Sequence, residues 1–600
     1  MSPARPARLR DLVFLGCWAG LASGYLDAGA VALRRWLVEP IVFTGHHTIW
    51  TAPLFNAVLF AALGLAGWTA GRAVPWLGSR GAAAFGFGCL GTLGVLYNFP
   101  ALHRVAAVLL SAGVGAQLAR LAETRADGSA RLVRRTLPWL AGITLLLAGA
   151  LVGRDAWGER RALAALPPAR PGAPNVLLIV LDTVRALNLS LYGYARPTTP
   201  ELEHWARRGT VFSGAFATAS WTLPSHASLF TGRTTTELSA DWMVPLERTV
   251  PTLAEALAAA GYATGGFVAN TDYASAEVGL ARGFAHYEDY TLTPGQIARS
   301  SALGRALSRL RPLRDLLGWH DNLGRKTAPD ISAAFLRWVD RRRGRPFFAF
   351  LNYYDAHRPY LPPAPYAQRF RTPGVPLNPR LRRETGADPD TPPARIQGAI
   401  DAYDNAIAYL DAELGVLFRE LDRRGLAEQT LIIVTSDHGE EFLEHGAWDH
   451  GNTLYRPSVE VPLVLRWPGR VPEGRRVHGP VSLRDVPSTV LDLAGVEPVP
   501  PFPGRSLARF WRGGPPSPDT VWSAVRRVPR MPLEYPAARG DLIAVIAGGL
   551  RYIRNDGDGG EELFDVERDP AERHDLAATP GGAVRMAAFR ALTEGRFRRP

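Results

Sequence analysis

The chain has 600 residues, 47% of them hydrophobic, with a mean hydropathy of −0.04 and a formal charge of +12. That length corresponds to roughly three to four domain-sized units, and the apolar content is high for a soluble enzyme. Residues 1–173 carry 17 Arg against 7 acidic residues, or +10, which leaves +2 for the other 427, so the basicity is local. No basic stripe interleaved with aromatics asks for nucleic acid. The two cysteines, Cys17 and Cys89, both in apolar segments, exclude a disulfide framework and a zinc cluster.

Apolar runs at 12–32, 48–70, 81–99, 102–119 and 136–153 each approach the ~20 residues a helix needs to cross a bilayer. Five transmembrane helices are therefore predicted over residues 1–153. The first is too long, and too closely followed by others, for a cleaved signal peptide. Arg5, Arg8, Arg10, Arg72, Arg80, Arg120, Arg125, Arg131, Arg134 and Arg135 fall on one side, against Arg34, Arg35 and Arg104 on the other. The imbalance puts the amino terminus in the cytoplasm of a multi-pass inner-membrane protein and everything after the fifth span in the periplasm or cell exterior. Asp27 in the first span is costly there, and marks either a functional site or an interhelical hydrogen bond, the latter favoured. His46 and His47 lie near the outer end of the second span. Residues 154–173 are charged and then Pro-rich, the pattern of an interfacial helix and a stiff linker.

From Asn175 the pattern changes to alternating strands and helices. The run 175–182 (NVLLIVLD) is apolar, β-branched and ends in a carboxylate, as do residues 430–437 (TLIIVTSD), while 346–354 (PFFAFLNYY) is another buried strand. Helical patterns fall at 200–208, 226–231, 252–260 and 401–424. This alternation predicts a mostly parallel, doubly wound α/β sheet, in which ligands bind beyond the carboxyl ends of the strands. Asp182, Asp437 and His438 lie at two such ends and are suited to hold a metal ion, with the oxygen of Thr222 completing the shell. In 217–232 (ATASWTLPSHASLFTG), Pro224 reads as the first helical residue, which puts Thr222 just ahead of a helix start, where an anion is favoured. A metal there would lower the hydroxyl's pKa and neutralise charge on a transferred phosphoryl or sulfuryl group. His226, His357 and His450 are candidates to bind the substrate's anionic oxygens or to move protons.

Eight blocks in order, among them NVLLIVLDTVRA, SWTLPSHASLFTGR, FFAFLNYYDAHRPYLPP and TLIIVTSDHGEEFLEHGAWDHGNTLY, resemble the sulfatase family of the alkaline phosphatase superfamily over about residues 174–577. With five spans ahead of it, the whole also resembles lipoteichoic acid synthase-type phosphoglycerol and phosphoethanolamine transferases. The resemblance implies Asp182, Asp437 and His438 as ligands of a divalent metal (Mn, Mg, Zn or Ca), Thr222 as nucleophile and further ligand, and His357 as a substrate or proton-transfer residue. His450 stands where sulfatases usually have lysine, His226 where they have arginine, and Thr183 where many have a second aspartate. Sulfatases oxidise the Cys or Ser of a C/S-x-P-x-R motif to formylglycine. A threonine without the arginine does not suit that modification, so phosphoryl transfer through Thr222 is expected. A sulfate-ester hydrolase using unmodified Thr222 and a catalytically silent membrane sensor are the alternatives. The implied partners are the lipid bilayer and an anionic ester substrate, lipid-linked esters included. Residues 174–500 are expected to form the catalytic domain and 501–600 the small C-terminal α+β subdomain and tail. The basic segment 291–330 is expected to lie against anionic headgroups or to shape a substrate groove.

Overall fold

A computed structural model describes residues 7–38, 41–316, 324–342, 344–375, 391–513, 520–529 and 531–596. Arg5 of the charge-bias argument and residues 317–323 of the basic segment lie outside these. The chain divides into two units: Met1–Arg161 with Tyr290–Arg325, and Ala162–Asp289 with Lys326–Pro600.

The first unit is helical: α1 (Leu9–Leu37), α2 (Thr48–Ala70), α3 (Arg80–Leu96), α4 (Arg104–Thr124) and α5 (Ala126–Ala164). Four of these are long and apolar enough to cross a membrane, whereas α3, with 17 residues, falls short of the ~20 required. The five-span expectation thus resolves into four full-length helices and one shorter apolar one. Residues 154–164 are not a separate interfacial helix but run on from α5, because GERRALA propagates a helix already nucleated upstream. The helices α1 and α2 pack through Gly16, Gly20 and Gly24. A Cβ on Gly20 would come within 2.4 Å of the Asn56 carbonyl oxygen, and one on Gly24 within 2.3 Å of Pro53 Cα. This four-residue spacing of glycines lets two backbones touch, as apolar helix pairs require where burial alone gives little.

Tyr290–Arg325 belongs to this unit. It forms the short helices Pro294–Ser300, Ala302–Leu307 and Arg311–Leu316. Leu303 is buried against the stacked rings of Phe60 and Phe87.

The second unit is built on an eight-stranded sheet in the order β10-β2-β9-β6-β1-β5-β3-β4. Its strands are β1 (Asn175–Leu181), β2 (Thr210–Phe216), β3 (Ala263–Val268), β4 (His286–Glu288), β5 (Phe347–Tyr353), β6 (Thr430–Thr435), β9 (Glu460–Arg466) and β10 (Arg475–Ser482). A small hairpin, β7 (Glu441–Phe442) and β8 (Trp448–Asp449), intervenes. Within the eight-stranded sheet the pairings are parallel except those of β9 with β2 and β6. The central strands β1, β5 and β6 are buried along nearly their whole lengths, which is why they read as continuous apolar runs instead of alternating ones. Two helices matter below: α6 (Thr222–Thr231), buried throughout, and α7 (Pro393–Arg423), whose apolar stripe packs on the core through Tyr403, Ile407, Leu410 and Leu414.

Residues 521–593 form an antiparallel sheet, β11 (Val521–Val525), β12 (Leu542–Ala547), β13 (Leu550–Asn555) and β14 (Glu561–Asp565), followed by the helix Pro580–Thr593. Its strand β11 braces the approach to α6: Ser523 Oγ donates to the Ala217 carbonyl at 2.6 Å, and Ala524 N to the Thr218 carbonyl at 2.8 Å.

Candidate active site

The strand ends bring Asp182, Asp437 and His438 together, with ligand atoms within 4.8 Å of one another and all three side chains buried. Each carboxylate has one oxygen held and one left over. Asp182 Oδ2 accepts from Asn270 Nδ2 at 2.9 Å and Asn352 Nδ2 at 3.2 Å. Asp437 Oδ1 accepts from the backbone N–H groups of Thr183 and His438 at 3.2 and 3.0 Å. Asp182 Oδ1 and Asp437 Oδ2 are buried with no hydrogen-bond partner. Orphaned carboxylate oxygens converging beside an imidazole are costly unless a cation sits among them, so the residues fit the divalent metal that the resemblance implies. In its absence burial, and then the charge of Asp437, push Asp182 up to about 6. Burial also raises Asp437.

Thr183, between strand and turn, has φ of 62°, a left-handed conformation that costs a β-branched residue about 1–3 kcal/mol. The turn is held by Tyr403 of α7, whose hydroxyl donates to the Thr183 carbonyl at 2.6 Å and accepts from Arg185 N at 3.0 Å. In return the turn aims the Thr183 amide at Asp437. The Thr183 hydroxyl donates to the Asp182 carbonyl and is not part of the metal cluster.

His438 donates from Nδ1 to the Gly439 carbonyl at 2.9 Å, since a carbonyl only accepts, which leaves the Nε2 lone pair inward. Thr222 Oγ1 lies 3.2 Å from that nitrogen. Burial, and then the neighbouring His450, lower His438 to about 3, so it is neutral and able to serve as a ligand. Thr222 is the first residue of α6 and Trp221 the N-cap. The sequence expectation, with Thr222 outside and Pro224 opening the helix, is shifted by two residues because the β-region backbone of Trp221 already supplies the cap. Ser225 Oγ donates to the Asp437 carbonyl at 2.6 Å, tying α6 to the loop after β6. His226 donates from Nδ1 to the Thr222 carbonyl at 2.8 Å, a shorter contact than its 3.5 Å approach to Asp437 Oδ2, and its Nε2 is a buried orphan.

A second layer surrounds this one. The ring of His450 lies 4.6 Å from that of His438, 5.1 Å from that of Trp221 and 5.1 Å from that of His357. Burial would lower His450, but Asp449 at 2.8 Å and Glu440 at 3.1 Å outweigh it and raise it to about 10. His450 is therefore a fixed cation at neutral pH, equivalent in charge to a lysine. Glu440, Asp449 and His450 also cluster closely enough for a metal, but Arg358 pairs with Asp449, so two cations already balance two anions. His357 stacks on Tyr354, and burial, reinforced by His450, drives its pKa well below the usual value. Its Nδ1 donates to the Arg358 carbonyl at 2.8 Å, so Nε2 is the acceptor and takes the Tyr354 hydroxyl at 3.3 Å.

All seven residues nominated from sequence, Asp182, Thr222, His226, His357, Asp437, His438 and His450, thus fall in one cluster. Asn270, Asn352 and Ser225 were missed. A groove of about 770 Å³ lined by Asn175, Arg342, Arg345, Phe347, Arg423 and Arg424 opens at the opposite ends of the strands and holds none of them.

A family model described as Sulfatase matches residues 174–496. A choline-sulfatase of Rhizobium meliloti (strain 1021) is 27% identical over 474 residues, covering 71% of this chain and 86% of its own. A multifunctional alkaline phosphatase superfamily protein of Trinickia caryophylli is 26% identical over 418 residues, 57% of this chain and 78% of its own. The crystal structure of a phosphonate monoester hydrolase of Agrobacterium radiobacter superposes with a TM-score of 0.57 at 24% identity, covering 70% of this chain and 94% of that one. At that identity the likeness shows the fold.

Proposed function

The chain belongs to the sulfatase family, and from that premise we propose that it cleaves or transfers a phosphate-ester group through Thr222, held to a membrane by its N-terminal helices with the site on the outer face. The observation that carries the reading is the Thr222 hydroxyl at the start of α6, 3.2 Å from a neutral His438 and beside two half-satisfied carboxylates.

Thr222 Oγ attacks phosphorus, and the bond from phosphorus to the leaving oxygen breaks with its electron pair. The leaving alcohol takes a proton, and a phosphothreonine remains. Attack by water or an acceptor hydroxyl then breaks that ester and restores Thr222. Asp182, Asp437, His438 and the Thr222 oxygen would hold a divalent cation (Mn, Mg, Zn or Ca), which supplies Lewis-acid neutralisation and a lower hydroxyl pKa. His450 presents a permanent positive charge to the anionic ester. His357, neutral and beside His450, is the candidate to bind the ester's oxygens or to move a proton. Asn270 and Asn352 orient Asp182 so that only Oδ1 faces inward.

The test is purified full-length protein given aryl phosphate mono- and diesters and aryl sulfates with each metal, followed by tandem mass spectrometry of residue 222. Phosphate-ester turnover with a phosphothreonine is expected. Full activity in Thr222→Ala would overturn the reading. Likeness to a choline-sulfatase favours the second reading, a sulfate-ester hydrolase with unmodified Thr222, which release of sulfate alone would establish.

A further inference from the structure

Three buried polar residues of the helical unit, Asp27, Asn56 and Asn98, are engaged by the segment that the chain sends there after Asp289. Asp27 of α1 accepts at Oδ1 from Asn98 Nδ2 at 2.7 Å and at Oδ2 from the backbone N–H of Ala302 at 2.8 Å. Asn56 of α2 accepts from Ser301 Oγ at 2.6 Å and donates to Ser23 Oγ at 3.3 Å. Asn98, just past α3, accepts from Arg305 at 3.0 Å. Ser301 caps the helix Ala302–Leu307 by accepting from Leu303 N at 3.2 Å. Leu303 fills the space over Gly94, where a Cβ would lie 2.9 Å from its side chain. Asp27, Asn56, Asn98 and Ser301 are each at most 1% exposed.

We infer that Ser23, Asp27, Asn56, Gly94 and Asn98 form a socket whose ligand is the capped turn Ser300–Arg305 of this same chain, so that the catalytic portion is attached to the helices a second time, without a covalent bond at the contact. A carboxylate and two amides buried among apolar helices are expensive unless paired, and each here meets a partner of complementary type. The pairings are specific in kind: a carboxylate for a helix-capping N–H, an amide oxygen for a hydroxyl and another for a guanidinium. The segment also leaves and rejoins the second unit at adjoining points, since Lys326 Nζ donates to the Glu288 carbonyl at 2.7 Å. It is thus a loop held at its base, with its tip shaped to fit. This assigns Asp27 an assembly role.

The experiment uses the full chain with a protease site placed between Pro168 and Gly172. After cutting in detergent, the two fragments are expected to co-elute on size exclusion, and Asp27→Leu combined with Asn56→Leu is expected to abolish co-elution. Separation of the fragments without those substitutions, or co-elution unchanged by them, would overturn the inference. If the leucine variant fails to fold, a second measurement decides. In a background with Cys17→Ser and Cys89→Ala, the pair Asn56→Cys and Ser301→Cys is expected to cross-link the cut fragments on a non-reducing gel. Absence of that cross-link under oxidising conditions would count against the socket. Neither readout depends on catalysis, so loss of the proposed activity leaves them standing.

Discussion

Two clusters of buried polar side chains, one in each unit, differ in how they are satisfied. Asp27, Asn56, Asn98 and Ser301 each have hydrogen-bond partners, whereas the buried atoms without one around Asp437 include Asp182 Oδ1, Asp437 Oδ2, His226 Nε2 and Glu440 Oε2. A closed network stabilises and specifies an arrangement, while an open one holds energy in reserve for something not yet bound. The contrast separates a closed joint from a cluster prepared to bind something more.

The largest effect is expected at the proposed nucleophile. Thr222→Ala should reduce ester turnover by roughly 10⁴–10⁶-fold, as loss of a covalent nucleophile does, while calorimetry still detects metal binding. Next comes the cation in the second layer. His450→Ala should cost roughly 10²–10³-fold in kcat/KM, and His450→Lys should recover most of it, because the charge at neutral pH is the same. A smaller effect concerns pH. With Asp182 raised to about 6 in the metal-free protein, binding must displace a proton below that value. Apparent metal affinity, followed by titration calorimetry, should therefore be about tenfold weaker at pH 5 than at pH 7. An affinity flat across that range would show that the orphan oxygens are not where the ion goes. The smallest effect sets the two clusters side by side. Asp27→Asn replaces an acceptor with a donor that faces a backbone N–H, and should lower stability by about 1–3 kcal/mol. Asp182→Asn relieves repulsion with Asp437 and should raise the Tm of the metal-free protein while abolishing activity. If both substitutions moved Tm in the same direction, the two clusters would not differ in how their polar groups are satisfied.

Much of the centre was legible in the sequence because its main groups sit where a local pattern changes. Asp182 and Asp437 each terminate a β-branched run, and Thr222 lies two residues before a proline that a helix tolerates only in its first turn. Asn270, Asn352 and Ser225 were not legible. A single amide or hydroxyl near a strand or helix end has no periodicity, and what it holds lies from 88 to 212 residues away. The run-on of α5 was hidden because polar residues that continue a helix look the same as those that lie on a surface. The destination of 290–325 was hidden for a different reason. Its arginines suggested a headgroup surface, but the residues that seat it are Ser301 and Leu303, and their partners Asp27, Asn56 and Phe60 are more than 240 positions upstream.

That separation along the chain also sets an order of events during synthesis. Asn98 leaves the ribosome 204 residues ahead of Ala302, an interval of about 10–40 s at ordinary elongation rates. For that period α1–α3 exist with the carboxylate of Asp27 and the amide of Asn56 lacking the partners that the later segment brings. The newly made helices must therefore wait, loosely packed or with water at the socket, until the chain has passed residue 305.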